Sequence, residues 1–376
     1  MMLKRYTTFL VSIALLFMSI DLVAQINAPR ISSGATVSQS IGLTKVTVNY
    51  SRPNVVLAGN DRSGNIWGTV VPYGMTLNQL GGNMYPWRAG ANENTTISFS
   101  DDVEIQGQRL LSGTYGFHII LDESNEVTLI FNRAINHWGS FSYDDSLDVL
   151  RVTGELSDAS CTSPLLTYSF TEVSIDKALC VLSWDDKEIR FEVKVNTNEI
   201  AFKKMGDQLK GYLGFTWQGY NSAANYSLTS ESNYEKGLEW IDLAILSSGP
   251  NFTLLMTRSK LLQKLNKAEE AKSAVTSAIA LATYREILGY GDSKIQSGDV
   301  ASAIEAYELS MQKYKSSAYI NQFDEFVLHI RLAQANMRSQ NPKKALTYAE
   351  KAVDLAPSEQ FKGIAQSLVD RISNGN

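Results

Sequence analysis

The residues best equipped for chemistry sit in one stretch of the first half: Trp87 and Arg88, an Ala89-Gly90-Ala91 turn, then Asn92 and Glu93. Glu93 shares parity with Thr95, Ile97 and Phe99, so it is expected to begin a strand with its carboxylate aimed at the core. A buried carboxylate must be paired, hydrogen-bonded or protonated. Arg88, five residues back across the turn, can offer it a two-pronged guanidinium. Two readings follow. Either the pair is a buried ion bridge that pins the turn, or Arg88, Asn92 and Glu93 form the polar floor of a ligand pocket at the rim of a sheet domain.

His118 alternates with an aromatic set and is expected on the opposite face, beside Asn132. A metal site needs three or four ligands, and the other histidines, His137 and His329, are out of phase with it, so no metal is expected. Trp87 and Trp138 can stack on a sugar ring or fill a core. The ligand-binding candidates are therefore Trp87, Arg88, Asn92, Glu93, His118, Asn132 and Trp138. Catalytic residues are not identifiable. Asp144-Asp145 and Asp185-Asp186 are adjacent, so on a strand their side chains would point opposite ways and read as turn residues. There is no Gly-x-Ser-x-Gly elbow, no His-Glu-x-x-His, no phosphate-cradling loop and no dinucleotide fingerprint, and no cofactor is expected.

The elements that must position these residues alternate with period two from Ile26 to about Val195. Val46, Val48 and Tyr50 form one such set, Tyr115, Phe117, Ile119 and Leu121 another, then Val127, Leu129 and Phe131, Leu166, Tyr168 and Phe170, and Ile189 to Val195. Roughly nine short strands bounded by Gly, Asn, Asp and Ser predict an antiparallel sandwich or barrel. Parity also predicts a register: apolar sets must share a face, so a loop at 122–126 sets Leu121 opposite Val127, Ile119 opposite Leu129, Phe117 opposite Phe131, His118 opposite Ile130 and Gly116 opposite Asn132.

Beyond about residue 200 the period changes. Gly237, Ala271, Ala303 and Ala345 recur, each followed seven residues later by Ala244, Ala278, Ser310 and Ala352. Small residues two turns apart let a second helix approach closely, as stacked helical hairpins require. Gly291 stands where the first helix of a hairpin would make close contact, Gly298-Asp299 supplies a turn, and Pro357 a stop. The longer step from Ala303 to Ala345 predicts a loop or lengthened helix around 315–325, and residues 358–373 a capping helix. Trp217, Tyr220, Tyr226, Tyr234 and Trp240 either fill the first hairpin and its contact with the sheet domain or line a peptide groove.

Composition bounds the function. The chain has 376 residues, 44% of them hydrophobic and 19% charged, with a net charge of −5, an ordinary globular balance for two or three domains. Acidic residues dominate 25–202 and the remainder carries a slight basic excess. Neither half has the basic patch that phosphate neutralisation needs, so nucleic acid is not an expected partner. Lys4 and Arg5 precede a twelve-residue stretch, Phe9 to Ile20, dominated by apolar side chains, and Ala24 follows where a signal peptidase would cut. Twelve residues fall short of ~30 Å of hydrocarbon, so residues 1–25 read as a secretory signal and not an anchor. The mature protein is expected to be soluble, exported and periplasmic or extracellular. In that oxidising setting Cys161 and Cys180 can pair, although Cys180 reads as mid-strand and Cys161 as loop.

The sheet half resembles a family of exported bacterial proteins known as domain of unknown function 2911. The likeness rests on Pro29-Arg30-Ile31-Ser32, Tyr50-Ser51-Arg52-Pro53, Ile66-Trp67-Gly68, Val71-Pro72-Tyr73-Gly74 and Trp87-Arg88-Ala89-Gly90-Ala91-Asn92-Glu93. Gly113-Thr114-Tyr115, Trp138-Gly139 with Tyr143, and Leu150-Arg151-Val152 complete it, and the chain departs from the family between Gly74 and Trp87. The second half resembles the tetratricopeptide repeat, on its small-residue anchors, Gly291, Gly298 and the Asp354-Leu355-Ala356-Pro357 ending. The resemblance implies fold and compartment but no reaction.

The sequence thus reads as α+β in separate domains: a signal peptide over 1–25, an all-β antiparallel sandwich over 26–200, and an all-α tetratricopeptide-like solenoid over 201–376 with three to four repeats and a cap. The function it favours is an exported, non-enzymatic binding or scaffold protein. The repeats would hold a protein or peptide partner, and the sandwich a carbohydrate or small molecule. The alternative is a hydrolase of envelope or other polymers using Arg88, Asn92, Glu93 and His118.

Overall fold

The computed structural model describes residues 29–79, 81–314 and 320–374; the expected signal peptide lies outside them. The chain divides into two compact units at Ile200 and Ala201.

The first unit is antiparallel β. Its strands are β1 (Ser33–Ile41), β2 (Thr44–Arg52), β3 (Val56–Leu57), β4 (Asn60–Asp61), β5 (Thr76–Leu77), β6 (Met84–Tyr85), β7 (Thr96–Phe99), β8 (Val103–Ile105), β9 (Gln108–Leu110), β10 (Gly113–Leu121), β11 (Glu126–Asn132), β12 (Asp148–Thr171) and β13 (Lys177–Lys194). Nine of them form one sheet in the order β1-β2-β7-β10-β11-β12-β13-β8-β9. The short pair β5–β6 lies in the stretch between Gly74 and Trp87 where the chain departs from the family it resembles.

The two layers of the expected sandwich come from this single sheet folding onto itself. Its long hairpin, β12–β13, shifts register between Asp158 and Ser163 and again before Thr167, and such irregularities bend strands. Tyr168, beyond the shifts, meets Tyr50 with ring centroids 4.7 Å apart. Phe191 of β13 meets Phe117 of β10 at 5.6 Å, although two strands separate theirs in the sheet order. The alternating apolar sets fill the space between, with Val48, Phe117, Ile119, Leu129, Phe131 and Ile189 all buried. The β10–β11 register is the one that parity predicts, pair for pair from Gly116–Asn132 to Leu121–Val127.

Cys161 corrects the sequence reading: it lies within β12, not in a loop, and is exposed, whereas Cys180 is buried in β13 and opposes Phe170. Both thiols are free.

The second unit is helical, and the described residues between Thr197 and Ser373 form ten α-helices: α1 (Thr197–Gln208), α2 (Trp217–Thr229), α3 (Tyr234–Ser248), α4 (Phe252–Lys264), α5 (Ala268–Leu281), α6 (Tyr284–Gln296), α7 (Val300–Tyr314), α8 (Gln322–Arg338), α9 (Pro342–Leu355) and α10 (Glu359–Ser373). From α2 onward they pair as four hairpins followed by a closing helix. Gly237, Ala271, Ala303 and Ala345 and their partners seven residues on are all buried. At Gly237 a Cβ would fall 2.5 Å from Ser227 Oγ, and at Gly291 one would fall 2.8 Å from Tyr307 Cδ1, so only glycine lets these helices touch. The long step is met in part by α8, which runs 17 residues; the rest of the predicted insertion falls largely on 315–319, outside the described residues. Trp240 is buried and stacks on Phe202 at 5.5 Å, with Trp217, Tyr220 and Tyr234 packed around it, so these aromatics fill the core of the first hairpin.

Candidate functional site

The turn that carries the sequence candidates is anchored at both ends. Trp87 exchanges backbone hydrogen bonds of 2.9 Å with Ile119, and its ring packs against Trp67 and Trp184 at the edge of the core. The Ala89 carbonyl accepts from Tyr168 Oη at 2.9 Å and Thr95 Oγ1 at 3.2 Å. Ala89 and Asn92 both adopt left-handed backbone conformations, with φ of 51° and 59°.

That geometry overturns the expected Arg88–Glu93 pair. The strand starts at Thr96, three residues after Glu93, and Glu93 itself lies in a bend, so strand parity does not extend back to it. Glu93 instead turns outward and pairs with Arg30, and this ion pair holds its carboxyl below the usual range. Arg88 is turned to a structural task. Its Nη1 donates to the Asn92 carbonyl at 2.8 Å and its guanidinium lies 5.1 Å over the Phe141 ring. A Cβ on Gly139 would fall 2.8 Å from Arg88 Nε. Burial lowers the Arg88 pKa, and no carboxylate among the described residues pairs with it. Asn92 Nδ2 donates to the Ser32 carbonyl at 3.0 Å.

His118 occupies the face that parity assigns, beneath the chain between β11 and β12. Its Nδ1 bonds Ser140 Oγ at 2.9 Å and its ring meets Tyr143 edge-on at 5.3 Å. It is only 3% exposed, and burial pushes its pKa down to about 4, so the imidazole is neutral at pH 7. Beside it, the Tyr143 hydroxyl donates to Asp148 Oδ2 at 2.7 Å while Arg151 bonds both. Burial raises the Tyr143 pKa further from its ordinary value. Asn132 is fully engaged: Nδ2 donates to Asp148 Oδ1 at 2.7 Å and the Asp144 carbonyl at 2.9 Å, and Oδ1 accepts from Ala134 N at 2.8 Å. Trp138, by contrast, is 60% exposed.

The hydrolase alternative needed Glu93 and His118 to converge. Glu93 is taken up by Arg30, and His118 by Ser140. Among the described residues no three His, Cys, Asp or Glu side chains gather to hold a metal. Sequence reasoning missed Arg30, Ser140, Asp148 and Arg151; Tyr143 and Arg151 stood within family-like motifs, but nothing local marked their contact.

The helical unit holds grooves that no motif announced. One, of about 970 Å³, is lined by Leu309, Leu328, Tyr348 and Leu355 together with Glu305 and Glu325. Glu308 at its side is held by the Tyr348 hydroxyl at 3.2 Å and by Lys344 at 3.5 Å. Glu305 and Glu325 have no cationic partner among the described residues. Another, of about 560 Å³, lies between α6 and α8. There Asp292 receives the Tyr307 hydroxyl at 2.5 Å and Arg331 at 2.8 Å, and Arg338 stands without an acidic partner among the described residues.

These features define a class: a folded-over antiparallel sheet joined to an array of helical hairpins. Residues 32–193 match the family described as a protein of unknown function (DUF2911), and residues 328–359 match a tetratricopeptide repeat. The chain therefore joins a region similar to DUF2911 to tetratricopeptide-like hairpins, as its motifs implied. Among solved structures it is similar to YrrB, described as a TPR protein with an unusual peptide-binding site, at 17% identity over 41% of this chain and 76% of that one, with a TM-score of 0.25. It is also similar to yeast Tom70, at 14% identity over 46% of this chain and 43% of that one, with a TM-score of 0.26, so it spans less than half of Tom70. A TPR repeats protein from Bacteroides fragilis is 16% identical over 48% of this chain and 92% of that one, with a TM-score of 0.27. No curated protein matches.

Proposed function

We propose that this protein is an exported, non-enzymatic binding protein whose helical hairpins hold a protein or peptide partner. The observation that carries the reading is the 970 Å³ groove, whose leucines offer apolar anchoring and whose Glu305 and Glu325 are free to meet cations. Its size falls at the upper end of ordinary ligand pockets, and the complementary occupant is a segment with apolar side chains flanked by Lys or Arg. Stacked hairpins support the reading because they build extended surfaces and seldom carry reaction centres. Export rests on the Lys4-Arg5 start, the apolar stretch after it and Ala24.

Selection of peptides from a random displayed library against the full chain tests it. The selected sequences are expected to combine apolar residues with Lys or Arg. Replacing the exposed pair Leu309→Lys and Glu305→Lys should weaken their binding at least tenfold while leaving the melting temperature unchanged. Peptides that bind wild type and variant alike would place the partner elsewhere and sink the reading.

A further inference from the structure

The outward face of the sheet unit carries a built polar surface that the partner groove does not explain. Ser38 stands opposite Thr47, Thr47 opposite Ser98, and Ser98 opposite Thr114. Two residues along, Thr36 stands opposite Asn49 and Asn49 opposite Thr96. A spacing of two keeps both rows on one face, and neighbours within a row are hydrogen-bonded, with Thr36 Oγ1 donating to Asn49 Oδ1 at 2.7 Å. At the end of the second row lies a groove of about 380 Å³, lined by Thr36, Asn49 and Asn94 and walled by the Arg30–Glu93 ion pair.

Three observations fix the chemistry it would take. First, its charge is balanced. Arg30 and Glu93 are the only charged residues lining it and they neutralise each other, so an ionic guest would have to break that pair. Second, it has unspent hydrogen-bonding capacity. Asn49 is exposed, its oxygen is taken by Thr36, and its amide nitrogen has no partner among the described residues. Asn94, at 8% exposure, donates Nδ2 to the Ala134 carbonyl at 2.9 Å, while its buried Oδ1 has no partner. Flipping that amide would set two oxygens together, so the assignment stands, and an unmet buried acceptor calls for a reason. Third, Asn94 N donates to the His137 carbonyl at 3.1 Å. This anchors the loop bearing the exposed Trp138 beside the groove. An exposed apolar ring on the adjoining loop, together with close-set neutral donors and acceptors in the groove, suits a guest with a C–H face and a rim of hydroxyls.

We propose that this groove binds a neutral, hydroxyl-rich sugar, with Asn49 and the Arg30–Glu93 pair meeting its hydroxyls and Trp138 stacking on its ring. The site is separate from the helical groove and stands or falls without it.

Calorimetric titration of the full chain with three sets of oligosaccharides tests the proposal: neutral glucose- and xylose-built chains, anionic oligogalacturonates and cationic oligoglucosamines. Saturable binding is expected for at least one neutral chain and for neither charged set. Asn49→Ala and Trp138→Ala, both at exposed positions, should each weaken that binding about fivefold or more, with unchanged melting temperatures. No binding by any neutral chain, preference for a charged set, or neutral binding that both variants leave intact would each overturn it.

Discussion

At the residue scale, the polar side chains of the sheet unit divide by what meets them. Arg88 is half-buried and spends its charge on the Asn92 carbonyl and the Phe141 ring, so Arg88→Met should cost about 2 kcal/mol in denaturant unfolding, the worth of a charged hydrogen bond. Glu93 sits in an exposed pair with Arg30, and Glu93→Gln should cost less than about 1 kcal/mol in the same measurement. The reverse order would restore Glu93 as the buried partner that the sequence suggested. His118 adds a pH dependence. Its folded pKa lies at about 4, below the ordinary histidine value of 6.5, so the unfolded chain takes up the proton first. Stability is therefore complete above about pH 6.5 and declines as pH falls toward 4, by roughly 3 kcal/mol from this group alone. Urea unfolding of wild type and His118→Gln at pH 7 and pH 5 checks it, with the smaller pH effect expected in the variant.

At the scale of elements, glycines in one helix make opposite predictions. Gly291 of α6 faces Tyr307 with no room for a Cβ, so Gly291→Ala should cost about 1–3 kcal/mol by overpacking. Gly289, two residues earlier in the same helix, has nothing within 4 Å of a built Cβ, and Gly289→Ala should stabilise by up to about 1 kcal/mol. Thermal melts of the two variants should move in opposite directions. The same contrast explains what was legible beforehand. The β10–β11 register and the small-residue anchors follow from periodicity, because one-residue slips would bury polar atoms or force helices apart. Glu93 was misplaced because parity was carried three residues past the start of the strand at Thr96 into a bend, and a period of two has no meaning there. Arg30 lies 63 residues from Glu93, and Ser140 lies 22 from His118. Partners so distant are chosen by tertiary packing, and no local pattern encodes them. The helical grooves were hidden for the same reason, since Leu309, Leu328 and Leu355 read singly as ordinary helix residues.

At the scale of the whole molecule, the export proposal and the thiols bear on each other. An exported chain meets an oxidising environment, where two cysteines within bridging distance would join. Here the ladder sets Phe170 opposite Cys180, while Cys161 lies within the first of the strand's register shifts, between Asp158 and Ser163. Burial pushes the Cys180 thiol up, away from the reactive thiolate. The chain recovered from outside the cytoplasm of an expressing cell should therefore begin after the signal segment, near residue 25, and contain two free thiols. One of them, Cys161, should react with a water-soluble thiol reagent in the native state, and the second only after denaturation. Intact-mass measurement before and after labelling reads both at once. A chain retaining Lys4 and Arg5 would remove the basis for export, and a mass two hydrogen atoms lighter with no reactive thiol would mean that the sheet rearranges to bring Cys161 and Cys180 together.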